Sequence, residues 1–405
     1  MKRKASLGIV FVTVMLDLIG FGMVLPLMPL YASDPRFLAT PVQIGWLMGI
    51  YSLMQFLFMP LWGRMSDRWG RRPVLLIGLA GSAISYAVYG WAESLMVLFV
   101  SRAVAGVMGA NIATAQAIVA DITPPEKRAA GMGMIGAAFG LGFVMGPALG
   151  GVLSQWGGIA AAPLTAAVLS AVNLIFALFF LAETRVHGLP TAKAWIHPLS
   201  LAPWKEAMRY PAVLALSGMI FLVIAAFAAF EVVLPLWGEA KFGWTMADAG
   251  WVFAYVGVLI VLVQGGMVRR VVPKWGEKKA ARIGLALMTA GLSLLSLWHN
   301  QTALYLLLIP IAFGMGLVNP TFSALVSLNS DPDHQGTMLG LFQSLSALGR
   351  VVGPVLGGMM FAGLGERTFV MSGAVMAVVL MVFVQRQTIM RDHRQMAATS
   401  AGVGG

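Results

Sequence analysis

Long apolar runs of about twenty residues dominate the chain, near 7–31, 41–62, 73–92, 95–119, 129–153, 160–182, 212–237, 247–268, 280–298, 303–328, 336–361 and 368–385. A helix rises 1.5 Å per residue and needs roughly 20 apolar residues to cross about 30 Å of hydrocarbon. Each run is therefore long enough for one crossing. A membrane barrel would need many segments of about ten alternating residues, whereas these runs are continuous and twice that length. With 59% hydrophobic and 11% charged residues in 405, the chain lacks the polar surface of a water-soluble globule. The predicted fold class is an all-α membrane protein with twelve transmembrane helices.

The net charge of +11 points to nucleic acid only if the basic residues form a patch, and they do not. Most of the 27 Lys and Arg fall at the amino-terminus, in alternate loops and after the last run, as the positive-inside rule requires if both termini are cytoplasmic. This gives a multi-pass protein whose partners are the bilayer and small solutes, with no nucleic acid. Zero cysteines and five scattered histidines offer no disulfide, thiol nucleophile or metal-ligand pair, so no metal and no cofactor are expected. The basic start followed by an apolar stretch imitates a secretory signal, but that stretch is too long and contains Asp17. It reads as the first span.

The longest polar connection, 183–211, separates six spans from six. The expected domains are a first bundle over 1–182, the 183–211 linker, a second bundle over 212–390 and a flexible cytoplasmic tail over 391–405. A shift of 207 positions lays Gly146-Pro147-Ala148-Leu149-Gly150-Gly151 on Gly353-Pro354-Val355-Leu356-Gly357-Gly358, and a shift of 206 lays Trp69-Gly70 on Trp275-Gly276. An even number of spans per repeat makes the two copies parallel, related by an axis along the membrane normal, with a cavity between them.

The loop after the second span reads Gly63-Arg64-Met65-Ser66-Asp67-Arg68-Trp69-Gly70-Arg71-Arg72-Pro73. Positive-inside topology accounts for its arginines and not for Asp67. The loop resembles the signature loop of the major facilitator superfamily, and the similarity covers nearly the whole chain. That resemblance implies two six-helix bundles with alternating access to a central site, and a gating role for Gly63, Asp67, Arg68, Gly70, Arg71 and Arg72. It also implies that the loop acid latches against the start of the eleventh helix, near Gly336 and Thr337. In the second half Pro273 stands where the acid would be, so the latch is asymmetric. Asp121, at the cytoplasmic end of the fourth helix, is a candidate partner for Arg71, with a solvated surface acid as the other reading.

The fifth span carries Gly142, Gly146, Pro147, Gly150 and Gly151. Glycines at four-residue spacing let helices touch backbone to backbone. In this position the pattern resembles the motif of proton-driven exporters within the superfamily. Leu16-Asp17-Leu18-Ile19-Gly20-Phe21-Gly22, Ala120-Asp121-Ile122-Thr123 and Lys274-Trp275-Gly276-Glu277-Lys278 narrow the resemblance to the tetracycline-exporter-like branch of the twelve-helix drug/proton antiporters. The resemblance implies a bacterial cytoplasmic (inner) membrane and a monomer. Those exporters carry acids in the ninth and eleventh helices that are missing here, which puts tetracycline itself in doubt. An uptake carrier for a metabolite or sugar on the same fold, proton-coupled or facilitative, is the alternative. An enzyme lacks any nucleophile-base constellation, and an ATP-driven pump lacks a phosphate-cradling loop.

Proton coupling needs a carboxyl whose hold on its proton changes with its surroundings. A buried carboxyl keeps the proton more tightly and one beside an arginine less tightly, so moving a partner loads or releases it. The ionisable residues inside the spans are Asp17, Arg102, Glu231 and Arg350. Asp17 and Arg102 fall at comparable depth and form one expected pair; Glu231 and Arg350 form a second, unless Glu231 is wetted at the outer mouth. For the substrate pocket the sequence offers Phe21, Asn111, Gln116, Phe227, Tyr255, Gln264, Asn319 and Gln343, polar or aromatic side chains among adaptable apolar walls.

Overall fold

A computed structural model describes the backbone of residues 6–109, 111–124, 128–184, 207–297, 300–330 and 335–402; the side chains of Pro60, Arg64, 111–113, 128–133, Arg269, 335–337 and 387–402 lie outside that description. Most of the expected linker is therefore outside it. Among the described residues fourteen helices follow in order: α1 Leu7–Val24, α2 Met28–Ser33, α3 Pro41–Trp69, α4 Arg71–Gly90, α5 Leu95–Met108, α6 Asn111–Ile122, α7 Arg128–Gly157, α8 Ala161–Phe180, α9 Pro211–Phe242, α10 Met246–Leu262, α11 Val268–Leu295, α12 Gln301–Leu328, α13 Gln335–Leu364 and α14 Arg367–Gly402. A π-helical turn, Val263–Met267, joins α10 to α11. Ten helical segments are long and apolar enough to cross a membrane. The fourth expected span is split between α5 and α6, and the ninth follows the charged start of α11, an arrangement consistent with twelve crossings.

Several boundaries differ from the sequence reading, each for a local reason. The first span ends at Val24 and restarts as α2, with Pro26 in the gap; proline removes a donor and clashes with the preceding turn. The fourth breaks after Met108 at Gly109 and runs on to Ile122. The second continues through the charged loop to Trp69, where Gly70 at φ 108° turns the chain into α4. Gly276 at φ 75° makes the corresponding turn in the second half; both angles suit glycine because it has no β-carbon. The expected tail is instead a continuation of α14 to Gly402, through Gln, Met, Arg and Ala residues that favour helix.

The repeat is visible in the packing. In the first half α7 lies on α1: a β-carbon on Gly146 would fall 2.6 Å from Gly22 Cα, and one on Gly150 2.6 Å from Met23 O. In the second half α13 lies on α9 in the same way, with Gly353 against Ala225 and Gly357 against Ala229. The halves meet along two matching seams. Along one, a β-carbon on Gly151 of α7 would fall 2.9 Å from Met246 O, and Gly250 of α10 abuts Pro147 O; along the other, Gly358 of α13 abuts Pro41 O and Gly45 of α3 abuts Pro354 O.

Both seams begin at the end of the molecule away from the amino-terminus, and the α7/α10 seam runs on to Gly257 against Phe143 O and Gly140 against Val261. At that end Ser33 of α2 donates to Glu239 Oε2 of α9 at 3.0 Å, tying one half to the other. Toward the opposite end, β-carbons on Gly63, Gly136, Gly265, Gly266 and Gly340 would meet nothing within 4 Å. The end with the closest approach between the halves is here termed the sealed end, and the opposite one the spread end.

Candidate functional site

Arg102 of α5 has no exposed surface. None of its three nitrogens makes a well-formed hydrogen bond among the described residues. Its charge is met by ring faces instead: the guanidinium carbon stands 5.3 Å from the Tyr51 centroid, 5.7 Å from Tyr86 and 5.3 Å from Tyr89. A cation over an aromatic face is drawn to the ring quadrupole, most strongly where water is excluded. Tyr86 and Tyr89, three residues apart on α4, share a face, and Tyr31 of α2 donates to Tyr89 O at 3.0 Å, closing the cage from the sealed end.

Tyr51 of α3 connects this cage to the rest of the interior. It lies within electrostatic range of Arg102, Asp17 and Arg350 at once, and Tyr86 within range of Asp17. Glu231 of α9 interacts with Arg350 of α13. Tyr51 is thus in range of charged residues from both halves, and Arg350 links it to Glu231. Arg350 retains exposed surface, while Glu231 and Asp17 are half-buried. Phe21 joins it through Tyr51 at 5.5 Å and Phe143 at 6.4 Å.

Gln116, Gln264 and Gln343 are exposed and Asn319 half-buried; the Asn111 side chain lies outside the described residues. Phe227 runs by ring contacts through Phe230 to Phe369 of α14, away from Tyr51. Tyr255 donates to Tyr305 O at 3.3 Å and borders a separate apolar groove of about 400 Å³ between α7 and α10, lined by Met145, Leu149, Trp251 and Val258.

The break in the fourth span is held by side chains of α3. Gln55 Nε2 donates to Gly109 O at 2.9 Å, and Trp62 Nε1 donates to Val107 O. These carbonyls lose helical partners at the break, and an unpaired carbonyl inside a membrane is costly.

At the spread end, Arg71 is the centre of the charged loop. It pairs with Asp67 at 2.6 Å and Asp121 at 3.1 Å, and donates to Ser66 Oγ at 3.0 Å. Glu183, just after α8, accepts from the backbone N–H of Arg71 at 2.9 Å and of Arg72 at 3.1 Å. Its carboxylate thus answers the positive end of α4, and it packs so closely on Gly70 that a β-carbon there would collide with it. Arg72 also donates to Leu178 O at 2.8 Å. Arg68 is exposed in the last turn of α3. Asp67 thus holds Arg71; the side chains of Gly336 and Thr337, its expected partners, are outside the described residues. Glu183, Gln55, Trp62 and the three tyrosines were not anticipated as site residues. The available signal was tyrosine far from the interfacial levels where it is enriched, and a lone acid at the exit of a span.

The sequence profile of the Major Facilitator Superfamily matches residues 10–354 and 274–396. The chain is 34% identical to the class C tetracycline resistance protein of Escherichia coli over 361 residues, covering 88% of this chain and 89% of that one. It is 32% identical over 395 residues to major facilitator superfamily domain-containing protein 10 of Bos taurus, with 86% and 85% covered. Among solved structures, the human organic anion transporter MFSD10 (TETRAN) is similar at TM-score 0.69 and 29% identity, over 93% of this chain and 98% of that one. The nucleoside transporter NupG shares the fold at TM-score 0.78 and 14% identity, over 94% and 98%. With its apolar membrane-crossing helices, its internal repeat and a profile match along nearly its whole length, this chain belongs to the Major Facilitator Superfamily of membrane transporters.

Proposed function

We propose that the chain is a proton-coupled antiporter that exports small, lipophilic, drug-like molecules by alternating access. The observation that carries this reading is that Tyr51 lies within electrostatic range of Asp17 and Arg102 of the first half and Arg350 of the second, with Glu231 in turn within range of Arg350. A carboxyl whose arginine partner rides on another helix changes its hold on a proton when the helices move, which is the elementary requirement for coupling transport to a proton gradient. The α7 glycines support export as the direction, since they match the pattern of proton-driven exporters, and relatives named for tetracycline resistance and for organic anion transport support ionisable, lipophilic substrates.

The positive-inside rule assigns the spread end and both termini to the cytoplasm of a bacterial inner membrane. The conformation is then inward-facing. Substrate entering from the cytoplasm meets Arg350 and Glu231 and displaces a proton; closure of the spread end and parting of the α7/α10 and α3/α13 seams deliver it outside. Protons entering from outside reload Asp17 and Glu231 and return the carrier.

The test uses purified protein in vesicles with an imposed pH gradient and a panel of tetracycline and lipophilic organic anions. Substrate addition releases internal protons in the native protein. Asp17→Asn and Glu231→Gln each cut gradient-driven transport at least tenfold while leaving part of the downhill exchange. Gradient-driven transport at the native rate in both variants refutes the assignment.

A further inference from the structure

The two charged loops at the spread end are copies of one another, yet only one is neutralised. In the first, four arginines from Arg64 to Arg72 are met by Asp67, Asp121 and Glu183, which hold Arg71 and the backbone at Arg72. The repeat carries Asp67 onto Pro273 at a shift of 206, and Asp121 and Glu183 onto Leu328 and Met390 at 207. All three acids are lost. Three of the four arginines keep a basic counterpart, Arg64 on Arg270, Arg68 on Lys274 and Arg72 on Lys278, while Arg71, the one the acids hold, falls on Glu277; Arg269, Lys279 and Arg282 are added, and Glu277 is the one acid across 268–282.

Arg270, Lys274, Lys278 and Lys279 are exposed, and no ion pair among the described residues engages them. Trp275, 45% exposed, stands among them with Lys279 Nζ 5.4 Å from its ring centroid. Where Glu183 packs on Gly70, no atom of the described residues lies within 4 Å of a β-carbon on Gly276. Unpaired cations around an exposed tryptophan, at the exit of a membrane span, match the chemistry of the headgroup layer. Indole settles at that depth, and juxtamembrane lysines and arginines are drawn to anionic lipid phosphates. In water such a cluster repels itself; against a negatively charged leaflet the same cluster is complemented.

We propose that the junction between the eighth and ninth spans, formed by Arg270, Lys274, Trp275, Lys278 and Lys279, docks the headgroups of anionic phospholipids in the leaflet at the spread end. The lipid phosphates answer the exposed cations that Glu277 alone, the one acid in this junction, leaves in excess. One half is thus neutralised by its own acids and the other by the membrane.

Lipid retention is measured by native mass spectrometry on the full-length protein, with phosphatidylglycerol competing against phosphatidylethanolamine. The native protein retains phosphatidylglycerol preferentially. Lys278→Gln/Lys279→Gln loses about tenfold in that preference, Lys278→Arg/Lys279→Arg keeps it, and Arg209→Gln/Arg386→Gln, which removes the same charge elsewhere, stays within about twofold of native. Equal losses in the two glutamine variants, or full retention in Lys278→Gln/Lys279→Gln, overturn the proposal. So does displacement of phosphatidylglycerol by millimolar inorganic phosphate, which would make the patch a site for a soluble anion.

Discussion

A buried guanidinium without a carboxylate against it is stable only where something else answers its charge. At Arg102 three tyrosine rings do so, and the choice has a functional consequence under the proposed mechanism. A carboxylate clamped to Arg102 would be fixed in one ionisation state, whereas rings leave the arginine's field free to act on Asp17 through Tyr51. Removing one face should therefore cost stability and coupling together. Tyr51→Leu is expected to destabilise the protein by roughly 1–2 kcal/mol, the worth of a desolvated cation–π contact, and to depress proton-coupled transport. Tyr51→Phe keeps the face and should unfold within about 0.5 kcal/mol of native, so any transport defect it retains belongs to the hydroxyl. Chemical unfolding in detergent, run beside the vesicle assay, separates the two effects. The sequence displayed Arg102 as costly at membrane depth, and so as a site residue, but its tyrosines were invisible there because separate helices supply them.

At the scale of helices, the glycines of α7 serve two neighbours at once. Gly142, Gly146 and Gly150 face α1 within the first half, while Gly151 and Pro147 O face α10 across the seam. The same helix also carries Gly136, where an added β-carbon meets nothing, so a single substitution type separates packing from propensity. Gly146→Ala forces α1 and α7 apart against backbone and should cost about 1–3 kcal/mol, as overpacking does. Gly136→Ala should instead stabilise α7 by roughly 0.5–1 kcal/mol through helix propensity. Thermal unfolding of the two variants with opposite signs is the expected result; a shared loss would mean that α7 needs flexibility rather than contact. Four-residue glycine spacing by itself implies close packing. Which neighbour each glycine meets was not legible, because helical periodicity gives a face and not the helix opposite it. Breaks were not legible: the first span was read straight through Pro26, since prolines such as Pro147 and Pro354 sit inside unbroken helices, and the break at Gly109 depends on donors from Gln55 and Trp62 on another helix.

Across the whole molecule, one question decides whether the observed arrangement belongs to a cycle: whether the sealed end must open. The seams at that end bring glycine and proline backbone into contact, and the buried core continues between the halves, from Met23, Leu27 and Leu47 to Phe230, Trp237 and Met246, so opening must also separate apolar side chains. Among the described residues, the Ser33 to Glu239 hydrogen bond is a polar tie that joins the halves directly. The absence of cysteine from the sequence makes this tie an unusually clean handle. In a Ser33→Cys/Glu239→Cys protein, a short bis-thiol reagent that is cleaved by reduction should bridge the halves in the conformation described. Bridged protein should lose at least nine-tenths of its gradient-driven transport and recover it on reduction, while either single substitution treated alike stays active. Pre-incubation with substrate on the outer side should slow the bridging, because occupancy from that side selects the state in which the two positions are apart. Transport at full rate in the bridged protein would mean that substrate passes without the sealed end opening, and alternating access between two half-bundles would have to be abandoned for this chain.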